Sequence, residues 1–315
     1  AHLTGSERPD VIHLHWIEGY DRGAAPRSPA LARLARLGPA RDLLRWRQLA
    51  ALLDALARFQ AEGGRVAYTA HNLDPHEANS WPERRALRRI LRAADLVHAH
   101  DAATAAELAA RFDRRVGVAV IPHGHYLSAY PNAIGRLEAR ARLALPDDAF
   151  VYACLGLLRP YKGLEELIPA FRGLTEDRAR LLIAGKAHDA RYAEYLAGMI
   201  HGDTRIRFEP RFIPGDELQT YFNAADMAAL PYRQITTSGA AMMAFSFGAP
   251  VLAPAIGAFP DLITPERGIL YGTGGLAGAL AAARGRDWAA ARQPILDWVK
   301  QFDWADIGRA LLNAY

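Results

Sequence analysis

Residues 150–171 read "FVYACLGLLRPYKGLEELIPAF". An apolar run of strand length, Phe150–Leu155, ends at a glycine. Two cations straddling a proline follow, Arg159 and Lys162, and an amphipathic helix is expected over Gly163–Gly173. Strand, short loop and helix in that order is half of a parallel crossover unit. In open parallel sheets, ligands lie outside the carboxyl ends of the strands. Cations placed there are costly to bury and call for an anion.

The same rhythm extends in both directions. Further strands are expected at Val11–His15, Arg65–His71, Leu96–His100 and Val116–Pro122, then at Arg180–Ala184, Ile206–Glu209, Met227–Pro231 and Val251–Pro254. The helical patterns between them are Ser28–Gln60 (broken at Gly38-Pro39), Pro82–Ala93, Asp101–Phe112, Tyr192–His201, Gly215–Ala224 and Ser238–Phe247. Two alternating series joined near "AIGRLEARARLALPDD" give an α/β protein with two Rossmann-like domains. The expected boundaries are 1–140, 141–300 and a final helix over 301–315. A chain of 315 residues suits two cores better than one.

Composition narrows the class. With 51% hydrophobic and 23% charged residues the chain is globular. No apolar run reaches the roughly 18 residues of a membrane span. The single cysteine, Cys154, excludes a disulfide framework and favours a reducing, cytoplasmic setting. Charge is uneven: the balance is +6 up to residue 145, where every cation is arginine, and −2 beyond it. A basic first half points to an anionic surface or acceptor. The Arg/Leu helices "SPALARLARLGPARDLLRWRQL" and "WPERRALRRILRAAD" are read as solvated basic faces, or as faces docking on anionic lipid with Trp46 or Trp81 at the interface. No basic–aromatic platform or helix-turn-helix favours nucleic acid. The chain enters "VIHLHW" with no earlier strand–helix unit, and a preceding stretch is expected.

The strand-end segments hold the candidate site. Ser238 and Gly239 open a helix, whose N-terminus offers free N–H groups and a positive dipole end, and Thr237 precedes them. With Arg159 and Lys162 they describe a diphosphate cradle. "RFIPGDEL" places Phe212 and Ile213 as a slot for a nucleobase, or as an ordinary loop before a capped helix. Asp261 follows another strand in "PAIGAFPD". Nine of eleven histidines lie in the first half, and seven of those nine sit at strand ends. "HNLDPHE" crowds His71, Asn72, His76 and Glu77 together, and "PHGH" supplies His123 and Gly124. His71 is the candidate general base or sugar-phosphate donor. Three His-x-His pairs raise a metal reading, but no carboxylate or cysteine stands at ligand spacing, so no metal or other cofactor is expected.

"GLLRPYKGLEELIPAF", "RFIPGDELQTYFNAADMAALPYR", "SGAAMMAFSFGAPVLAP" and the tail "FDWADIGRALLNAY" together resemble glycosyltransferase family four, from about residue 9 to the end. The resemblance implies a GT-B fold, with two Rossmann-like domains facing across a cleft, the first lacking its N-terminal unit. It implies a nucleotide-sugar donor, a glycan or lipid-linked acceptor, retention at the anomeric carbon, and no catalytic metal. Arg159 and Lys162 would neutralise the donor diphosphate, Ser238 and Gly239 would donate N–H bonds to it, and His71 would stand near the sugar. The setting implied is bacterial polysaccharide or glycolipid synthesis, cytoplasmic or peripheral on the inner membrane face. Two departures matter. The family's glutamate pair falls on Ile235 and Met243, and its usual arginine falls on Leu157, with Arg159 displaced two residues. The rivals are a degenerate, non-catalytic nucleotide-sugar or glycan-binding subunit, and an epimerase or phosphorylase on the same fold.

Overall fold

A computed structural model describes residues 8–17, 38–73 and 81–315. Its contacts divide the chain into two compact units. One runs up to Pro122 and includes Ile307–Tyr315; the other is His123–Asp306.

The first unit has a four-stranded parallel sheet in the order β1-β2-β3-β4: β1 Val11–Leu14, β2 Arg65–Thr69, β3 Leu96–Ala99 and β4 Val118–Val120. Helices Gly38–Ala61, Trp81–Ala93 and Ala102–Phe112 connect the described strands. In Gly38–Ala61 the buried residues Arg45, Leu49, Leu52, Leu56 and Phe59 recur at three- and four-residue intervals, one stripe of a helix. Asp101 caps Ala102–Phe112, accepting from the Thr104 N–H at 2.6 Å.

The second unit has six parallel strands in the order β10-β9-β8-β5-β6-β7. These are β5 Phe150–Leu155, β6 Ala179–Ala184, β7 Ile206–Glu209, β8 Met227–Ala229, β9 Val251–Pro254 and β10 Gly268–Tyr271. Strand order reverses at the β5/β8 pair, where Ala153 lies opposite Ala228. That reversal is where an open α/β sheet leaves a crevice for ligands. β5 and β6 are almost wholly buried, which accounts for their continuous apolar runs.

The segment read as the junction belongs to the second unit. Helix Arg136–Arg142 buries Arg140 completely. Its guanidinium donates to the carbonyls of Ala224, Pro146 and Asp147 and to Asp226 Oδ2 at 2.8 Å. Asp226 also accepts from Val151 N–H at 2.7 Å, so every partner of the buried charge is supplied. Upstream, Gln219 Oε1 accepts from Ala133 N–H, and Asn223 donates to Asn132. These bonds tie residues 132–140 to the second unit, which begins at His123. Strands expected to reach His71, His100 and Pro122 stop pairing at Thr69, Ala99 and Val120. The strand β10 was not expected. Among the described residues no helix is long and apolar enough to cross a membrane.

Candidate active site

In the second unit, the strand ends build a cavity of about 200 Å³. Leu155 and Gly156 at the end of β5, Leu230 after β8, Gly239 and Met243 of helix Gly239–Ser246, Tyr126 and Lys162 are among its lining residues. Glycines allow the close approaches. Gly156 and Gly185 both have positive φ, and a Cβ on Gly185 would lie 1.7 Å from the Gly156 carbonyl oxygen. Gly163, at φ 70°, ends the 3₁₀ turn Pro160–Lys162 and lets the next helix meet Pro231.

That turn carries Lys162 inward. Lys162 is 7% exposed, and its Nζ lies 5.1 Å from the centre of the Tyr232 ring. No carboxylate pairs with it among the described residues. A buried ammonium with no acid partner among the described residues can meet an anion in the cavity it lines. Opposite, Ser238 caps the helix by accepting from Ala241 N–H at 3.0 Å, which leaves the N–H groups of the first turn oriented to the cavity end. Arg159 is half-buried just before the 3₁₀ turn, which it caps, and does not line the cavity.

The structure gathers some of the expected residues and separates others. Lys162, Ser238 and Gly239 come together. His123 joins them: its Nε2 lies 3.5 Å from where a Cβ on Gly239 would stand, and the Tyr126 hydroxyl 3.4 Å. Its Nδ1 donates to the Gly124 carbonyl at 2.8 Å, and burial holds the imidazole below the ordinary histidine value. Gly124 is glycine because the Trp304 indole packs on it; a Cβ there would fall 2.3 Å from the ring. Ile213 packs on the second core, Phe212 is 70% exposed, and Thr237 is half-buried beside Ser238. Asp261 is exposed on the short helix Phe259–Leu262, away from the cavity lining. Met243 lines the cavity, so an apolar thioether stands where the family pattern has a glutamate.

His71 belongs to the first unit, in a cluster at the carboxyl ends of β1, β2 and β3. Its Nε2 is 3.0 Å from His15 Nδ1, and its ring stacks on Trp16 at 4.4 Å and 8°. His100 lies 5.3 Å away, ring to ring. Asn72 is buried, with an amide nitrogen that meets no acceptor among the described residues. His76 and Glu77 lie outside the described residues. Among the described residues no three histidines, cysteines or acids are placed to hold a metal. Burial pushes the Cys154 thiol up to about 11, so it stays a neutral core residue.

The model for Glycosyl transferases group 1 matches residues 149–286, the part that contains most of the cavity. A GDP-mannose:glycolipid 4-beta-D-mannosyltransferase of Xanthomonas campestris pv. campestris is 30% identical over 311 residues, covering 98% of this chain and 80% of that protein. The chain is a group 1 glycosyltransferase. A D-inositol 3-phosphate glycosyltransferase of Kineococcus radiotolerans is 31% identical over 193 residues, 57% of this chain and 44% of that one. Among solved structures, sucrose-phosphate synthase of Thermosynechococcus elongatus superposes with TM-score 0.71 at 22% identity, covering 92% of the glycosyltransferase and 78% of that chain. Anabaena HepE in complex with UDP gives 0.71 at 20%, covering 91% and 83%. The fold is GT-B.

Sequence reading missed Tyr126. It follows "PHGH" directly, but its backbone N–H donates to Ser246 Oγ, 120 positions on, a pairing no local pattern announces.

Proposed function

We propose that this glycosyltransferase moves a sugar from a nucleotide-sugar donor to a glycolipid or other glycan acceptor. Lys162 carries this reading, as a buried ammonium without a counter-ion beside a capped helix N-terminus. The diphosphate of the donor is the anion that meets both. Arg159 adds a second positive charge on the same turn. Developing charge on the departing diphosphate is thus met by groups already in place, which is how such sites lower a barrier. The protein's own cations make a catalytic metal unnecessary. Asn72 and the His71 cluster of the first unit serve the sugar and the acceptor, with His76 and Glu77 a few positions on in the sequence, and Gly124 adjoins His123 in the second unit. With Ile235 and Met243 in place of carboxylates, sugar and ribose hydroxyls find their partners elsewhere.

The acceptor class is supported by the Xanthomonas relative, whose name specifies a glycolipid. Helix Trp81–Ala93 supports peripheral association with an anionic bilayer. Its outer face carries Arg84, Arg85, Arg88, Arg89 and Arg92 around a groove of about 560 Å³ that begins at Trp81. Its one acid, Glu83, is held by Arg45 at 2.9 Å. The resemblance to family four supports retention at the anomeric carbon. The word "beta" in the relative's name favours inversion as the second reading, because GDP-mannose carries its sugar in the alpha configuration.

The deciding experiment is calorimetric titration with GDP and UDP, followed by transfer from GDP-mannose and UDP-glucose to lipid-linked acceptors. Lys162→Ala should weaken diphosphate binding by about 1.5–3 kcal/mol, the scale of a charge-assisted hydrogen bond, and leave nucleoside binding unchanged. Equal affinity in parent and variant would remove the cradle. The anomeric coupling in the product separates retention from inversion.

A further inference from the structure

The two ring nitrogens of His123 face different things. Nδ1 points at the Gly124 carbonyl, 2.8 Å away, and a carbonyl can only accept, so Nδ1 carries the proton. The neutral ring therefore turns the lone pair of Nε2 toward the Tyr126 hydroxyl, at 3.5 Å, and toward Gly239, the first residue of the cradle helix. The segment is clamped there. Tyr126 N–H donates to Ser246 Oγ on the same helix at 2.8 Å, His125 N–H donates to the Phe302 carbonyl at 2.9 Å, and the Trp304 ring lies 5.5 Å from the imidazole.

Two neighbours oppose a charge on Nε2. The helix N-terminus is itself positive, and the Lys162 ammonium lines the same cavity. Helix Gly239–Ser246 has no ionisable side chain. The loop bearing His123 offers the neutral phenols of Tyr126 and Tyr130, and His125, which faces Asp303 at 3.7 Å. Burial disfavours the charged imidazole, and its bond to the Gly124 carbonyl works the other way. An anion seated at Gly239 reverses the field and makes a protonated Nε2 a donor.

We propose that His123 is a proton-linked ligand of the bound diphosphate, taking up a proton at Nε2 as the anion settles beside Gly239 and donating that hydrogen to a phosphate oxygen. This rests on the diphosphate cradle proposed above. It makes affinity rise with acidity, and it makes release of the spent nucleotide coincide with loss of a proton from the site.

The probes are GDP-mannose and UDP-glucose, whose two phosphates are diesters and stay ionised throughout the range, so any proton taken up is the protein's. Calorimetry in buffers of different ionisation enthalpy should show net proton uptake by the parent. Affinity should fall as pH rises, by at most ~10-fold per pH unit. In His123→Gln the uptake and the pH slope should vanish. The His123 ring proton signal of the parent, assigned by its loss in that variant, should titrate at higher pH once nucleotide is added. Lys162→Ala should lose affinity yet keep the proton uptake. Weakened binding in Lys162→Ala with no uptake in the parent, or with uptake persisting in His123→Gln, overturns the role of His123 alone. Unchanged binding in Lys162→Ala, or no binding of either nucleotide by the parent, overturns the cradle and this proposal with it.

Discussion

The Tyr315 hydroxyl donates to Nδ1 of His13, and the direction of that bond is set three residues away. His98 Nε2 meets the Ile121 carbonyl at 2.7 Å, so it must be the donor. In the singly protonated ring His98 Nδ1 then accepts from Thr69, at 3.1 Å, and Thr69 in turn accepts from His13 Nε2, at 2.7 Å. That leaves His13 Nδ1 as an acceptor, which Tyr315 fills. With Nδ1 accepting from Tyr315, the chain of bonds is complete for an uncharged His13. Burial, with His15 and His98 close by, holds it down at about 4.

Stability of the first unit should therefore fall on mild acidification. Between 6.5 and about 4 the unfolded chain binds a proton that native His13 does not, so stability rises with pH across that window. The contribution is complete above 6.5 and is lost as pH falls through about 4. It amounts to about 1–3 kcal/mol after allowing for the open edge of the ring. His15 shifts in the same direction through burial. His13→Gln should flatten the pH dependence of unfolding in that window, and Tyr315→Phe should cost about 1 kcal/mol at neutral pH. Denaturant melts at several pH values give both numbers. A His13→Gln variant as acid-sensitive as the parent would contradict the assignment.

Gly185, packed against Gly156, and Gly239 of the cavity should respond differently to a methyl group. Gly185→Ala puts a Cβ 1.7 Å from the Gly156 carbonyl oxygen at a φ of 152°. Backbone cannot yield there, and the loss should reach at least about 2–3 kcal/mol. Gly239→Ala meets only the Tyr126 hydroxyl and His123, at 3.4 and 3.5 Å. It should melt close to the parent yet bind nucleotide more weakly, since the methyl group occupies the entrance to the helix N-terminus. Thermal melts and titrations on the two variants separate the cases.

What the sequence disclosed follows how local each signal is. The turn that carries Lys162 to the cavity is legible because strand, proline turn and helix are contiguous, whereas Arg159, on the same loop, does not reach the cavity lining. The cap at Ser238 is legible for the same reason. Tyr126 and the boundary at Pro122 are not. Their partners, Ser246, Phe302 and Trp304, are more than a hundred residues away in the chain. The strand β10, Gly268–Tyr271, is four residues between turns and carries too little pattern to be seen. His71 stood out by crowding, but its stacking on Trp16 needs β1 and β2 side by side.

Activity should survive exhaustive chelation. The positive charge at the cavity is supplied by Lys162, and His13, His15, His71 and His98 are engaged with one another, Thr69, Tyr315 and the Ile121 carbonyl. Transfer measured before and after EDTA treatment checks this. Loss of turnover restored by Mn²⁺ or Zn²⁺ would reverse it.

Binding to vesicles should depend on anionic lipid. The Arg85 guanidinium lies 5.2 Å from the Trp46 ring, and Trp46 lies 5.6 Å from Trp81, so cations and aromatics share one surface. Each basic residue near an anionic bilayer contributes about 1 kcal/mol, screened by salt. Co-sedimentation with phosphatidylserine vesicles should weaken markedly in Arg88→Glu/Arg89→Glu and at high salt. Equal pelleting with neutral vesicles would count against the surface.

The His71 cluster should act on turnover and not on nucleotide affinity. Every group proposed to hold the diphosphate lies in the second unit, whereas His71, His15 and Trp16 lie in the first. Trp16 fixes the plane of the His71 ring by stacking, and the 3.0 Å contact with His15 fixes its rotation. An imidazole held in one orientation can serve as a general acid or base, worth about 10²–10⁴ in rate. His71→Ala should therefore lower kcat by about that factor while the Kd for GDP and UDP stays within about twofold. Trp16→Ala should give a smaller loss in kcat, because the ring is kept but freed to turn. His71→Gln, which keeps hydrogen-bonding ends but cannot carry a proton at neutral pH, should resemble His71→Ala if the role is proton transfer. If it instead restores most of the turnover, His71 positions the sugar by hydrogen bonding and the proton is handled by another group.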